Sequence, residues 1–480
     1  MTEEAYRTTS RSEVRTLAFY QEGNNKKKRS ETTFEGGVNT GTSLFDIGDG
    51  ETTDEYGFDT DSFPARKVKK GRTAYGTSGA AQTNLLAHFG NTHLVRAVGT
   101  ALQYNSSGVI WTAIAGTFAD ADWDYTNYNG RLIMTNGTDE VKSWDGSTLS
   151  DLNAADAPLG KYITSSINRV YIAEGSTIHF CANNAETDWT SAENSGADDF
   201  TVNGGDITGL TYFKDQVTVF KKNAMGVYYG NNFFTQKLAI ISNDIGCISS
   251  KTIVEVGDTL FWLGQNDVYA FQGGQPIAIS QKIRSYLDSI NTTHITKCCA
   301  FTDGIRYYLC LVTGDNTEPN IRLVYDPRYG VWRIPALSEN YRQGVQLNNV
   351  VYVGDSAGQT YKEFDGTTNN GTAISWGLTT KPYDEGLPEA EKTYLDLHLQ
   401  GLFETGTTVA LSVSTQDRNG TFEGMDFDPT TASDYTQNRN VVIPLDTVPL
   451  AYWTRYTISG TGPAELQQMQ RYFRYQRVQR

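Results

Sequence analysis

Residues that mark catalytic and cross-linked proteins are scarce here. Five cysteines in 480 residues is an odd number, and no C-x-x-C pair occurs. A disulfide framework is therefore not indicated, and a reducing compartment is. The five histidines are scattered. His294 with Cys298 and Cys299 comes nearest to a metal cluster but lacks a fourth ligand at a workable spacing. Neither G-x-x-x-x-G-K-[ST] nor G-x-G-x-x-G occurs, nor H-E-x-x-H, nor G-x-S-x-G. No catalytic residue, cofactor or metal is expected. No apolar run approaches the ~18 residues that span a bilayer. The opening Met1 to Arg7 shows neither the basic nor the apolar part of a secretory signal. Positive charge is also short: the formal net charge is -15. Proteins that grip nucleic acid are normally basic, because neutralised phosphates drive binding. An acidic wall can still line a path along which DNA slides. Solubility alone would also account for the charge.

What the chain does hold is glycine and aromatics: 46 Gly with only 12 Pro, and 28 Tyr, 21 Phe and 8 Trp. That mixture suits tight turns and pleated surfaces. Nine Asn-Gly or Asp-Gly pairs occur, including Asn129-Gly130, Asp145-Gly146, Asp303-Gly304 and Asp365-Gly366. Both central positions of a two-residue hairpin turn need positive φ, so these pairs signal hairpins and an all-β chain. Seven apolar bursts begin near Thr92, Arg131, Arg169, Gln216, Thr259, Ile305 and Asn349. Their spacing in the high thirties to forties is the size of a four-stranded propeller blade. The bursts are apolar on consecutive residues, as in Leu260-Phe261-Trp262-Leu263, which means burial on both faces. They are expected to be the first, inner strands of six or seven blades.

Residues 1–35 read as a flexible polar arm carrying Lys26, Lys27, Lys28 and Arg29. Residues 36–84 read as short strands leading in and packing on the propeller. There the basic stretch Arg66 to Arg72 follows the acidic stretch Asp46 to Asp61, with internal neutralisation set against an inter-subunit contact. Residues 85–370 hold the propeller. A short helix is expected at 280–287, with Ser280 as cap and Ile283 and Leu287 one turn apart. Residues 371–480 alternate with period two at Thr393 to Leu399 and Thr408 to Ser414, as in a β-sandwich or jelly-roll-like domain. The final stretch carries Arg471, Arg474, Arg477 and Arg480. These four and the four basic residues of the arm are the candidate docking residues. Deleting 471–480 is expected to leave a folded monomer that assembles poorly.

Ser414 to Phe422 is similar to an Asp-box turn, but it occurs once and outside the repeats, so turn chemistry is the plainer reading. A glycosidase would also need two carboxylates flanking the bond. Trp123-Asp124 and Trp144-Asp145 are similar to the ends of WD40 blades, without the upstream Gly-His.

Four stretches carry a wider resemblance: Gly36 to Asn39 with Lys67 to Arg72 and Tyr75-Gly76; Asp244 to Thr252; Val256 to Leu263 with Val268-Tyr269 and Ser280 to Leu287; and Val324 to Trp332. Together they resemble the propeller-containing tail hub, or nozzle, proteins of short-tailed bacteriophages (podoviruses), the phage stabilisation or head-to-tail accessory family. Ser62-Phe63-Pro64-Ala65 departs from the usual Asn and Gly punctuation there. The resemblance implies a structural virion component and not an enzyme: a homohexameric ring below the portal and adaptor. Such a ring would extend the DNA channel, retain and conduct the phage genome without sequence-specific binding, and carry fibres, a spike or a needle. It would be assembled in the host bacterial cytoplasm and reside in the virion tail. The alternatives are a carbohydrate-binding or glycan-cleaving propeller acting as a receptor-binding tail part, and a general cytoplasmic propeller scaffold.

Overall fold

The computed structural model describes residues 27–476 apart from 107, 109, 193, 230–235, 405, 417–421 and 432–437. Strands dominate, and the chain divides into two compact units. One runs Lys70–Gly330 and Ala336–Gly371. The other gathers the residues up to Lys69, Val331–Pro335 and those from Thr372 onward.

The first unit is a propeller of seven sheets met in chain order. Their opening strands are Thr83–Phe89, Asp124–Tyr128, Tyr162–Ser165, Ile207–Phe213, Val254–Val256, Cys299–Thr302 and Tyr341–Leu347. Each opening strand pairs antiparallel with the next strand in sequence, so every sheet is a meander. Opening strands of successive sheets lie beside one another, and Tyr341–Leu347 comes back against Thr83–Phe89, which closes the ring. The seventh sheet borrows its outer strand from the start of the unit: Arg72–Ala74 pairs antiparallel with Thr360–Glu363, Tyr361 opposite Ala74 and Glu363 opposite Arg72. Early and late segments thus share one sheet, which leaves no free seam in the ring.

Each apolar burst is the second strand of its sheet, among them His93–Val98, Arg131–Thr135, Thr259–Leu263 and Val350–Asp355. The expectation of an inner, first strand is corrected. A second strand is paired on both edges and covered on both faces, so it carries the unbroken apolar run. Thr259–Leu263 is buried at every position. The aromatic surplus fills the gaps between sheets. Trp123, Trp144 and Phe118 pack between the first and second sheets, and Phe220 and Trp262 between the fourth and fifth, with ring centroids 5.0 Å apart. Trp111, Leu86, Leu94 and Val345 join the seventh sheet to the first.

A 3-10 turn at Gln281–Ile283 runs into the helix Arg284–Asp288, with Ile283 and Leu287 buried as their spacing suggests. Ser280 does not cap it. Its hydroxyl donates to Asp267 Oδ1 at 2.9 Å and accepts from the Val268 N–H at 2.9 Å.

The second unit is a sandwich of two six-stranded sheets. One runs Phe58–Asp59, Arg66–Val68, Ala464–Tyr475, Lys392–Phe403, Asn438–Pro444, with Lys28–Thr33 also on Ala464–Tyr475. The other runs Gly37–Val38, Glu51–Tyr56, Ser375–Thr380, Trp453–Thr461, Thr408–Gln416, Phe422–Thr431. The period-two pattern points Leu397, Leu399, Val409, Leu411 and Val413 into one core with Trp376, Tyr394, Met469 and Phe473. The N-terminal segments enter this unit: Lys28 pairs opposite Phe473, Glu55 opposite Leu378, and Lys67 opposite Glu465. Residues 28–68 are therefore strands of the sandwich, where the sequence was read as an arm and a lead-in on the propeller. Backbone pairing across four hundred residues holds them there.

Candidate functional site: the axial cavity of the propeller

All seven opening strands, with the segments leading into them, contribute to a cavity of about 640 Å³ on the propeller axis. Its polar wall includes His88, Asp122, Asp124, Tyr125, Lys161, Tyr162, Lys251, Glu255, Gln343 and Gln346. The ring geometry brings these residues together from segments more than two hundred positions apart.

Asp122 is the hub of a charge network. Its Oδ1 lies 2.6 Å from Lys251 Nζ and 3.0 Å from Arg342 Nη2. Arg342 also reaches Glu318 at 2.9 Å, and Glu318 reaches Lys297 at 2.5 Å. Burial works against the charge of Asp122, but Lys251 and Arg342 overcome it and hold the carboxyl below its usual range. Burial likewise lowers Lys251, against the pull of Asp122. This network ties segments of the second, fifth, sixth and seventh sheets.

Asp124, two residues on, differs. Its carboxylate accepts from the backbone N–H of Tyr125 at 2.9 Å and of Ile163 at 3.0 Å. Among the described residues, no Lys or Arg pairs with it. Burial pushes its pKa up to about 7, only partly offset by those two N–H groups. Burial and the charge of Asp124 raise the phenols of Tyr125 and Tyr162. This segment therefore holds one carboxyl ionised and another poised near neutrality, set apart by their partners.

The two Trp-Asp pairs have unrelated jobs. Asp124 opens a first strand on the axis. Asp145 follows a third strand and caps a turn, accepting from the N–H groups of Ser147 at 2.9 Å and Thr148 at 2.7 Å. Nothing in the dipeptide separates these roles; only the place within the forty-residue repeat does. Asp122, Lys251, Glu318 and Arg342 were not singled out from sequence, although Lys251 lies in the stretch Asp244 to Thr252.

The candidate docking residues do not form one site. Lys26, Arg477 and Arg480 lie outside the described residues. Lys27 is exposed and pairs with Asp396 at 2.8 Å; Lys28 is half-buried; Arg29 is exposed and pairs with Glu31. Arg474 is exposed. Arg471 is 3% exposed and bound to Glu385 at 2.7 Å and Thr32 at 2.6 Å. Its guanidinium is committed inside the sandwich, so it is withdrawn as a docking residue. Likewise, Arg471 to Tyr475 end the strand Ala464–Tyr475, with Arg471 to Phe473 paired on both sides, so removing 471–480 would break the sandwich rather than trim a tail. The basic stretch at Arg66 is neutralised internally by Glu55 at 2.8 Å. The Asp-box-like turn lies largely outside the described residues. Among the described residues, no group of three or more His, Cys, Asp and Glu could hold a metal ion, and no helix is long and apolar enough to cross a membrane.

No family model matches the chain, and no curated protein matches it. Solved structures do. BamB from Moraxella catarrhalis is similar over 62% of this chain and 82% of its own, at 12% identity and a TM-score of 0.37. The extracellular domain of a hybrid two-component system from B. thetaiotaomicron is similar over 64% of this chain and 44% of its own, at 10% identity and a TM-score of 0.43. PorZ, a surface component of the type-IX secretion system of Porphyromonas gingivalis, is similar over 74% of this chain and 46% of its own, at 12% identity and a TM-score of 0.40. The chain thus spans less than half the length of the latter two.

Proposed function

We propose that the chain is a structural component of a bacteriophage virion, a tail hub or nozzle subunit. Six copies would form a ring below the portal and adaptor, extend the DNA channel, and present a platform for fibres, a spike or a needle. The observation that carries this is where the charge sits. Among the described residues, eleven Lys and Arg side chains are buried against six Asp and Glu. The interior therefore holds surplus positive charge, and the rest of the chain is more acidic than its net -15. An acidic exterior repels phosphate, which suits a conduit that DNA must traverse without adhering. Buried ion pairs and a ring without a seam suit a rigid wedge in a ring built from repeated heterologous contacts. Of the candidate docking residues, Lys27, Lys28, Arg29 and Arg474 would contact adjoining virion proteins.

Electron microscopy of particles carrying a tagged copy tests this. A six-fold ring at the head–tail junction supports it. Label on peripheral fibres alone, or none on the particle, discards it.

A further inference from the structure

The axial cavity contains a carboxylate, Asp124, that no cation among the described residues pairs with. Asp122 is consumed by Lys251 and Arg342. Asp124 lines the same cavity and receives two backbone N–H donors. An ionised carboxylate offers about four lone-pair sites, so acceptor capacity remains. Taking a carboxylate out of water is costly unless an opposite charge accompanies it. Tyr125 and Tyr162 stand beside it, and their phenols respond to its charge. Thr164 and Thr211 line the cavity too, and the Oε1 atoms of Gln343 and Gln346 remain as acceptors while their amide nitrogens donate to the carbonyls of Asn84 and Asp303. Three carboxylates, Asp122, Asp124 and Glu255, line the wall against two ammonium groups, Lys161 and Lys251.

We propose that this cavity binds a primary alkylammonium group, with the Asp124 carboxylate as its ion-pair acceptor and hydroxyl and amide oxygens taking its remaining N–H donors. A linear amine fits better than a sugar because carboxylates without a paired cation among the described residues, Asp124 and Glu255, stand on the wall. The cavity volume admits an alkyl chain of several carbons. The ligand could be a free diamine or the side chain of a lysine. Binding requires Asp124 ionised, so it strengthens as pH rises. The other titratable or charged groups on the wall are Asp122 and Tyr125 from its own segment, His88 from the first sheet, Lys161 and Tyr162 from the third, and Lys251 and Glu255 from the fifth.

Calorimetric titration of the full chain with putrescine, and separately with Nα-acetyl-lysine amide, tests the proposal. The tighter of the two identifies the source. With Asp124 at about 7, affinity should fall roughly 30-fold between about pH 8 and about pH 5.5. Asp124→Asn should bind at least about tenfold more weakly near pH 8 and lose that pH dependence. Lys161→Ala, which removes a competing cation, should tighten binding about two- to threefold and serves if the Asp124 variant does not fold. Failure of both amines to bind near pH 8 would overturn the proposal. So would unchanged binding by Asp124→Asn, unchanged or weaker binding by Lys161→Ala, or glucose binding as tightly as either amine.

Discussion

Glu55 and Arg66 meet inside the sandwich at 2.8 Å, and neither side chain has any exposed surface. The guanidinium also donates to the Phe34 carbonyl at 2.8 Å and to Thr52 Oγ1 at 3.1 Å. Arg333 stands 3.8 Å from the same carboxylate. Burying such a pair gains little net stability, yet breaking it strands a charge. Glu55→Gln should therefore destabilise the chain by about 3 to 5 kcal/mol, while Glu55→Gln with Arg66→Met should recover part of that loss. Denaturant titration of both variants reads the difference.

The same carboxylate gives a pH signature. Burial opposes its ionisation, but Arg66 and Arg333 overcome that and hold its pKa below the ordinary value. A carboxyl depressed in the folded state contributes stability above its unfolded pKa and loses it as pH falls through the folded one. Stability should drop on acidification below about pH 4.5. The slope should be shallower in Glu55→Gln. Equal slopes in thermal melts across that range would show that Glu55 is not the titrating group.

The propeller was readable because its signal is local. A strand paired on both edges and covered on both faces needs a run of apolar residues, and a run of four or five stands out. Thr259–Leu263 is such a run, and it recurs at the blade period. The opening strands were less legible, since one side meets the polar axis: Asp124–Tyr128 holds Asp and Asn among its tyrosines. The partners of Lys28–Thr33 and Glu51–Tyr56 were invisible, because no local pattern tells a short polar strand which distant strand it will join. The axial site was hidden for the same reason. Asp122, Lys251 and Arg342 converge only after the ring has closed.

That closure depends on close backbone approach at Gly71. A Cβ there would lie 2.0 Å from the Thr368 carbonyl oxygen. The Gly71 N–H donates to Gly366 O at 2.9 Å, beside the strand Arg72–Ala74 that completes the seventh sheet. Gly71→Ala must displace backbone, and overpacking of this kind costs about 1 to 3 kcal/mol. Limited proteolysis should cut the variant first near residues 70–80. An unchanged digestion pattern and melting temperature would show that the turn relaxes freely.

All five cysteines are buried and unpaired. Burial pushes Cys247 and Cys298 up to about 12, so thiolate is scarce near neutral pH. Ellman's reagent should label none of the thiols in the native chain and all five after denaturation without reductant. Rapid native labelling would mean that the propeller opens locally, and fewer than five under denaturant would mean that a disulfide has formed.

Two arginines on one strand separate fold from docking. In Ala464–Tyr475, Arg471 faces the interior and Arg474 faces solvent. Arg471 binds Glu385 and Thr32 and lies 3.6 Å above the Tyr383 ring. Removing it leaves the Glu385 carboxylate buried alone, so Arg471→Ala should cost about 3 to 5 kcal/mol. Arg474→Ala should change stability by less than about 0.5 kcal/mol. If the strand also docks on a virion protein, Arg474→Ala will melt like the parent and yet incorporate poorly into particles, whereas Arg471→Ala will fail in both measurements. Normal incorporation of Arg474→Ala would remove this residue from the docking surface and leave the basic residues around Lys27 to Arg29 as the place to look.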